Sequence, residues 1–373
     1  MAKRINKQSV VQRFLRLTKI DNPSLNEREM ADFLEQELDS LGIAWTEDKS
    51  YEKNGGTAGN IYAVLKGEDG YAPVLFSAHM DAVDVAVGKK AVLHEEEGII
   101  TSDGNTVLGA DDLVGIAAIM EALEYIVTNR VPHRTIEILF SYAEELLDVG
   151  SKAFDFSVIQ SKEAYILDGM GKAGTICYKS PTILSFEADI TGKAAHVACP
   201  EGSVNAIKIA ARAIDQINTG KIDENTSVNI GKIIGGNGGN IVPEHVLVIG
   251  EVRNYNHEAA LELVEKIHDT FEKAAVQYGG SVEFRTRLGC KAYEQNLNRP
   301  VAERYRALCS EYGYEYREKA IFGGSDNNIF EANGIEGIVL AIGVEFAHST
   351  SERVHTEEIR RAAESVLYLA GLK

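Results

Sequence analysis

Four strongly apolar runs in this sequence end in residues able to bind metal ions: PVLFSA runs into His79 and Asp81, TIEILFSYA into Glu144 and Glu145, AYIL into Asp168, and GIVLAIGVEFA into His348. Imidazole nitrogens and carboxylate oxygens suit Zn²⁺ or a similar divalent ion. In open α/β sheets, ligands gather at the carboxyl ends of strands. Asp111 joins the set from the start of a helical stretch, where a turn after Gly109 and Ala110 can bring its carboxylate to the same edge. His79 and Asp81 lie two apart, so extended backbone points both to one side, and the aspartate can fix the ring of a ligating histidine. Glu144 and Glu145 repel each other unless a cation is near. With one present, one glutamate can ligate while the other takes a proton from metal-bound water, whose pKa zinc lowers to about 7. Any one of these residues alone reads as a solvated strand end or a cap; their joint placement favours a metal centre.

Such strand ends need a sheet to position them. Val10, Val11, Phe14, Leu15 and Leu17 have helical spacing, and a second amphipathic helix is expected over 27–41. Strands are predicted over 60–65 and 73–78, then a polar, Gly-punctuated segment to Ala110, a long helix from Asp111 and a strand over 135–142. This alternation predicts an α/β fold whose sheet is covered by helices on both faces. Between Pro181 and Leu288 the order becomes strand (182–191), helix (204–217), two strands about a Gly-rich turn, helix (258–277) and strand (281–288). That βαββαβ order is the ferredoxin-like split unit, complete in itself. It predicts a first domain over 1–180, an inserted domain over 181–291 and a return to the first domain over 292–373, where the apolar run Gly337 to Ile342 completes the sheet. Gly235, Gly236, Gly238 and Gly239 precede a strand and no Gly-Lys-Ser/Thr, so they read as a hairpin turn and not a phosphate loop.

A length of 373 residues agrees with two domains, and a formal charge of −18 argues against nucleic acid or an anionic membrane as a partner. The four cysteines form no C-x-x-C pair, which leaves them as buried or incidental thiols. The basic N-terminus lacks an apolar signal core, and no run of ~18 apolar residues could span a bilayer, so cytoplasmic residence is the expectation.

Five segments, SAHMDAVD, LGADDLVGIAAIMEAL, SYAEELLDVGSKAF, YILDG and AHSTSERV, resemble in order and spacing the signatures of the zinc metallopeptidase family that includes peptidase T, glutamate carboxypeptidases, aminoacylases and succinyl-diaminopimelate desuccinylase. The resemblance covers nearly the whole chain. It implies a catalytic domain with a helix-covered mixed sheet and an inserted lid and dimerisation domain. It implies two Zn²⁺ per subunit, with Co²⁺ or Mn²⁺ as possible substitutes. Asp111 would bridge them, His79 and Asp168 would complete one site, and Glu145 and His348 the other. Glu144 becomes the general base, Asp81 the carboxylate behind His79, and a cis peptide bond is implied between Asp111 and Asp112. In the insertion, GKAAHVACPEGSVNAI resembles the lid segment whose histidine, here His196, holds the substrate carbonyl. Asn240 and Arg253 match residues that bind a substrate carboxylate, a task that suits the two-pronged guanidinium. FGGSDNNIF resembles a loop near the substrate. In the family the lid pairs with a neighbouring lid, which implies a homodimer, and its histidine reaches the neighbour's active site. The expected activity is hydrolysis of amide bonds in small peptides, in the manner of a tripeptide aminopeptidase. Leu113 stands where peptidase T commonly has lysine, and the chain is shorter than a typical peptidase T. A deacylase of N-acyl amino acids would need the same metals and differ in the pocket. A non-catalytic binding protein is disfavoured because all the proposed ligands and both catalytic carboxylates are present. A dinucleotide-binding redox enzyme is disfavoured because no G-x-G-x-x-G follows the early strands.

Overall fold

The computed structural model describes residues 4–83 and 85–372; the first three residues of the basic N-terminal segment and Asp84, the last residue of SAHMDAVD, lie outside the described residues. The chain forms two compact units, Met1–Lys179 with Glu294–Ile321 and Ser325–Lys373, and Ser180–Tyr293 with Phe322–Gly324.

The first unit is built on a mixed sheet whose main path runs Ala44–Glu47, Ile61–Leu65, Ile136–Ser141, Val74–His79, Glu163–Met170, Glu336–Glu345, Arg353–His355, Ile99–Ser102, Ala91–His94. Its four central strands are parallel. Val74–His79 and Ile136–Ser141 are buried at every position, as their unbroken apolar runs require of strands covered on both faces. The Ala110–Asn129 helix is apolar nearly all round and packs against the Val74–His79 and Glu163–Met170 strands, the Lys7–Leu17 helix and the Thr356–Leu369 helix. It is not regular from its start. Asp111 and Asp112 have non-helical backbone angles, and the peptide bond between them is cis.

Two expectations need correction. The polar segment before Ala110 contains a hairpin, Ala91–His94 with Ile99–Ser102, whose turn holds Glu95, Glu96 and Glu97 and closes with Gly98 at φ 66°. Short strands whose residues alternate between exposed and half-buried carry too little apolar signal to be read from sequence. The strand leading to Asp168 also does not stop there; it pairs on through Met170 with Val344.

The second unit is a five-stranded sheet in which Thr226–Gly235, His245–Asn254, Thr182–Thr191 and Ser281–Cys290 follow one another, each antiparallel to its neighbour. Gly220–Lys221 adds a short edge. The helices Ala206–Ile214 and His257–Tyr278 bury Ile209, Ala213, Val264, Ile267 and Phe271 with Phe186, Ile190 and Val248 in a separate core. Of the cysteines, Cys177, Cys290 and Cys309 are buried and Cys199 is exposed. No helix among the described residues is long and apolar enough to cross a membrane.

Candidate metal centre

His79 is the last residue of its strand and only 2 % exposed. Its Nδ1 lies 3.0 Å from the Asp81 carbonyl and 3.3 Å from Asp81 Oδ1. With the ring proton on Nδ1, that nitrogen donates to Asp81 and Nε2 is left as the ligating atom. Nε2 faces Asp111 Oδ1 at 3.3 Å and Asp168 Oδ1 at 3.6 Å. The other oxygen of Asp111, Oδ2, faces His348 Nε2 at 3.2 Å, and His348 Nε2 is 2.9 Å from Glu145 Oε1. Asp111 therefore stands between two groups of donors, one oxygen toward each. His348 comes from a loop where its own φ is 61°, and it is half exposed.

Backbone amides from the surrounding loops are tied to buried carboxylates. Glu352, 1 % exposed, accepts from the amides of Leu108 and Gly109 at 2.7 and 2.8 Å through Oε2, and from Asp111 at 3.0 Å through Oε1. Asp112 accepts from His79 N at 3.1 Å and Gly115 N at 3.1 Å. Asp81 accepts from Glu144 N at 2.9 Å and Glu145 N at 3.2 Å, so besides orienting His79 it holds the turn that carries the paired glutamates. Sequence reasoning did not pick out Glu352 or Asp112. Glu352 lies inside the quoted AHSTSERV segment and Asp112 is the second residue of the aspartate pair, and these were the available signals.

The electrostatics call for a cation. Ligand atoms of His79, Asp111 and Glu145 lie within 4.8 Å of one another, as do those of His79, Asp112 and Asp168. In the second group both oxygens of Asp112 are already engaged by backbone amides, which leaves Asp111 the better ligand. Burial pushes Asp168 up to about 8, and Glu144 also rises through burial, with Asp168, Asp148 and Glu145 adding to the effect and His79 opposing it. The carboxylates of Asp111 and Glu145, both close to Nε2, raise His348 to about 10. Burial acts to raise Asp111 as well, but the two imidazoles overcome it and hold this carboxyl below the usual range. Glu145 Oε1 is buried without a well-directed hydrogen bond although His348 is close. Two imidazoles among four crowded carboxylates, with an unsatisfied oxygen aimed into the group, fit divalent ions with nitrogen and oxygen ligands.

The three residues expected to bind substrate lie in the second unit. Exposed His196 sits on a two-residue strand paired with Ile241, and its neighbour Val197 donates to the Asn240 carbonyl at 3.0 Å, so His196 and Asn240 share one corner. Arg253 lies on the His245–Asn254 strand, where its Nε meets Glu251 Oε1 at 2.5 Å and its Nη1 donates to the Phe322 carbonyl at 2.6 Å. FGGSDNNIF is divided between the units. Asp326 is 2 % exposed and accepts from the Ser141 hydroxyl, so its carboxylate is turned into the first unit's core.

Comparison with known proteins gives concordant matches. Residues 178–279 match the M20 peptidase dimerisation domain, and residues 60–207 match peptidase family M28. The chain is 34 % identical to the protein YqjE of Bacillus subtilis over 97 % of this chain and 98 % of that one. It is 26 % identical to peptidase T of Geobacillus kaustophilus over 98 % of each. Among solved structures, a tripeptidase from Staphylococcus aureus superposes with a TM-score of 0.93 at 31 % identity, covering 99 % of this chain and 98 % of that one. The aminopeptidase PepT from Bacillus cereus superposes with a TM-score of 0.88 at 34 % identity, covering 98 % of each.

Proposed function

This chain belongs to the M20 family of dinuclear metallopeptidases, peptidase T among them, and we propose that it is a zinc-dependent tripeptidase using Glu144 as general base. It is a metallopeptidase of small peptides, as its tripeptidase and PepT neighbours are. The observation that carries the site assignment is the two-sided exposure of Asp111, with Oδ1 toward His79 and Oδ2 toward His348. On this reading Asp111, His79 and Asp168 hold one ion, and Asp111, Glu145 and His348 the other; Co²⁺ or Mn²⁺ can substitute for Zn²⁺. When bound, such a pair of ions polarises the scissile carbonyl and makes water acidic enough to attack at neutral pH. Glu144 takes the proton from the attacking water and returns it to the leaving amine. A single carboxylate serves both halves of that exchange, as base toward the water and as acid toward the amine. Asp81 keeps His79 in the tautomer that presents Nε2 and keeps the Glu144–Glu145 turn in place.

Separate roles for the adjacent glutamates are testable. Glu144→Gln should lower kcat by about 10² to 10⁴ while two metal ions stay bound, whereas Glu145→Gln should mainly lower metal content. Near-normal turnover by metal-replete Glu144→Gln would remove it from the base role.

We assign His196 to the substrate carbonyl and Asn240 and Arg253 to a substrate carboxylate, on the strength of the motif resemblance. If so, amidating the C-terminus of a good peptide substrate lowers kcat/KM, and Arg253→Ala erases the difference between acid and amide. Equal rates on both peptides with the unaltered enzyme speak against this assignment. We further assign pairing of two copies to the second unit, supported by the match of residues 178–279 to a dimerisation domain.

A further inference from the structure

We infer that Glu27 is a positioning residue for the paired glutamates, holding the Ala143 amide so that the turn after the Ile136–Ser141 strand aims Glu144 and Glu145. This rests on the catalytic reading above for its effect on rate, but its geometry stands alone.

Ala143 adopts a left-handed conformation at φ 48°, ψ 43° and opens the short 3₁₀ turn Glu144–Leu146. The first amides of a helical turn have no partner within it, and Ala143 has no side chain to cap them. Three successive amides are met instead by two carboxylates from distant parts of the chain. Ala143 N donates to Glu27 Oε1 at 3.0 Å, Glu144 N to Asp81 Oδ1 at 2.9 Å, and Glu145 N to Asp81 Oδ2 at 3.2 Å. Both acceptors are anchored in turn. Glu27 Oε1 also accepts from Leu25 N at 2.7 Å, and Ser24 Oγ donates to Asp81 Oδ2 at 2.6 Å. The loop bearing Ser24 and Glu27 is fastened beside the Asp81 segment through Asn22 Nδ2 to the Met80 carbonyl at 2.7 Å and Ala82 N to the Asn22 carbonyl at 2.9 Å.

Glu27 is fully buried, and its second oxygen, Oε2, has no hydrogen-bond partner. Leaving a carboxyl oxygen unsatisfied in a buried site is costly, and the two amide bonds accepted by Oε1 offset that cost. Burial, and after it the charge of Asp81, pushes Glu27 up to about 8. An uncharged acceptor oxygen at this reach is therefore sufficient for the task.

The test compares Glu27→Gln, which keeps the acceptor at the same reach, with Glu27→Asp, which keeps the carboxyl but is one methylene shorter. Metal-loaded full-length variants are assayed on a tripeptide for kcat, KM and bound metal. Metal-free samples are examined by hydrogen exchange over residues 142–147. Glu27→Gln should stay within about threefold of the unaltered kcat. Glu27→Asp should lose roughly tenfold to a hundredfold in kcat, with KM nearly unchanged and two metals retained, because misplacing the catalytic groups costs rate on this scale. Exchange of the Ala143–Glu145 amides should accelerate at least tenfold in Glu27→Asp and stay near the unaltered rate in Glu27→Gln. Equal behaviour of the two variants in both readouts, or a loss of kcat in Glu27→Asp that tracks a loss of bound metal, overturns the inference. If the unaltered protein cleaves no peptide, the functional reading fails, and the exchange data alone still decide the role of Glu27.

Discussion

Both oxygens of Glu352 are spent on the loop that delivers Asp111: one takes the amides of Leu108 and Gly109, the other that of Asp111 itself. Bonds from backbone amides to a carboxylate are about twice as strong as neutral ones, and these fix the approach of Asp111, the proposed bridging ligand. Glu352→Gln turns one acceptor into a donor facing an amide. It should weaken metal binding by about 10- to 100-fold, measured by competition with a chelator, while the metal-saturated enzyme keeps most of its kcat. Unchanged affinity would mean that the loop holds its shape without this carboxylate. His79, Asp168 and Glu145 were legible in the sequence because each follows an apolar run that could only be a buried strand. Glu352 was not, because its partners lie 241 to 244 positions away and nothing in the local pattern points to them. Glu27 was hidden for a similar reason: ahead of the Arg28–Ser40 helix it looks like an ordinary acidic helix start.

Between the Ala110–Asn129 helix and the Glu163–Met170 strand, the contact is set by Gly115. A Cβ at this position would lie 2.4 Å from the Leu167 carbonyl and 2.3 Å from Asp112 Oδ1. The helix thus approaches the strand closely just where one carries Asp111 and the other Asp168. Gly115→Ala forces these elements apart and should destabilise the protein by about 1–3 kcal/mol in urea unfolding, the usual cost of overpacking. Metal affinity should fall with it, because Asp111 and Asp168 are carried on the two separated elements. A variant with unaltered affinity would show that the ligand loops move independently of the helix. Element types were read well where periodicity was long and strong, as in the second unit, whose Thr182–Thr191 strand was placed to the residue. The cis-linked start of the Ala110–Asn129 helix was anticipated only through family resemblance, since composition carries no trace of a peptide isomer. The Ala91–Ser102 hairpin escaped because its turn of three glutamates looks like solvated loop.

Each unit has its own apolar core, one gathered around the Ala110–Asn129 helix and the other around Phe186 and Phe271. The chain leaves the first unit after Lys179 and re-enters it at Glu294, and these two residues form a 2.7 Å ion pair while Gln295 N donates to the Tyr178 carbonyl at 2.7 Å. Replacing residues 181–292 by a short Gly/Ser linker should therefore give a folded, metal-binding protein. It should be monomeric by light scattering, where the full chain of 40.7 kDa should run at twice its mass, and unable to cleave peptides. Aggregation without bound metal would show that the first unit needs the second to fold. Exit and return at one hydrogen-bonded step of a sheet also say something about descent. A gene can acquire or shed the intervening segment in a single event, with Phe322–Gly324 the part of the flanking chain that loses its partners. If the second unit reads the substrate and pairs the subunits, as proposed, both properties are free to drift along one lineage while the metal chemistry of the first unit stays fixed.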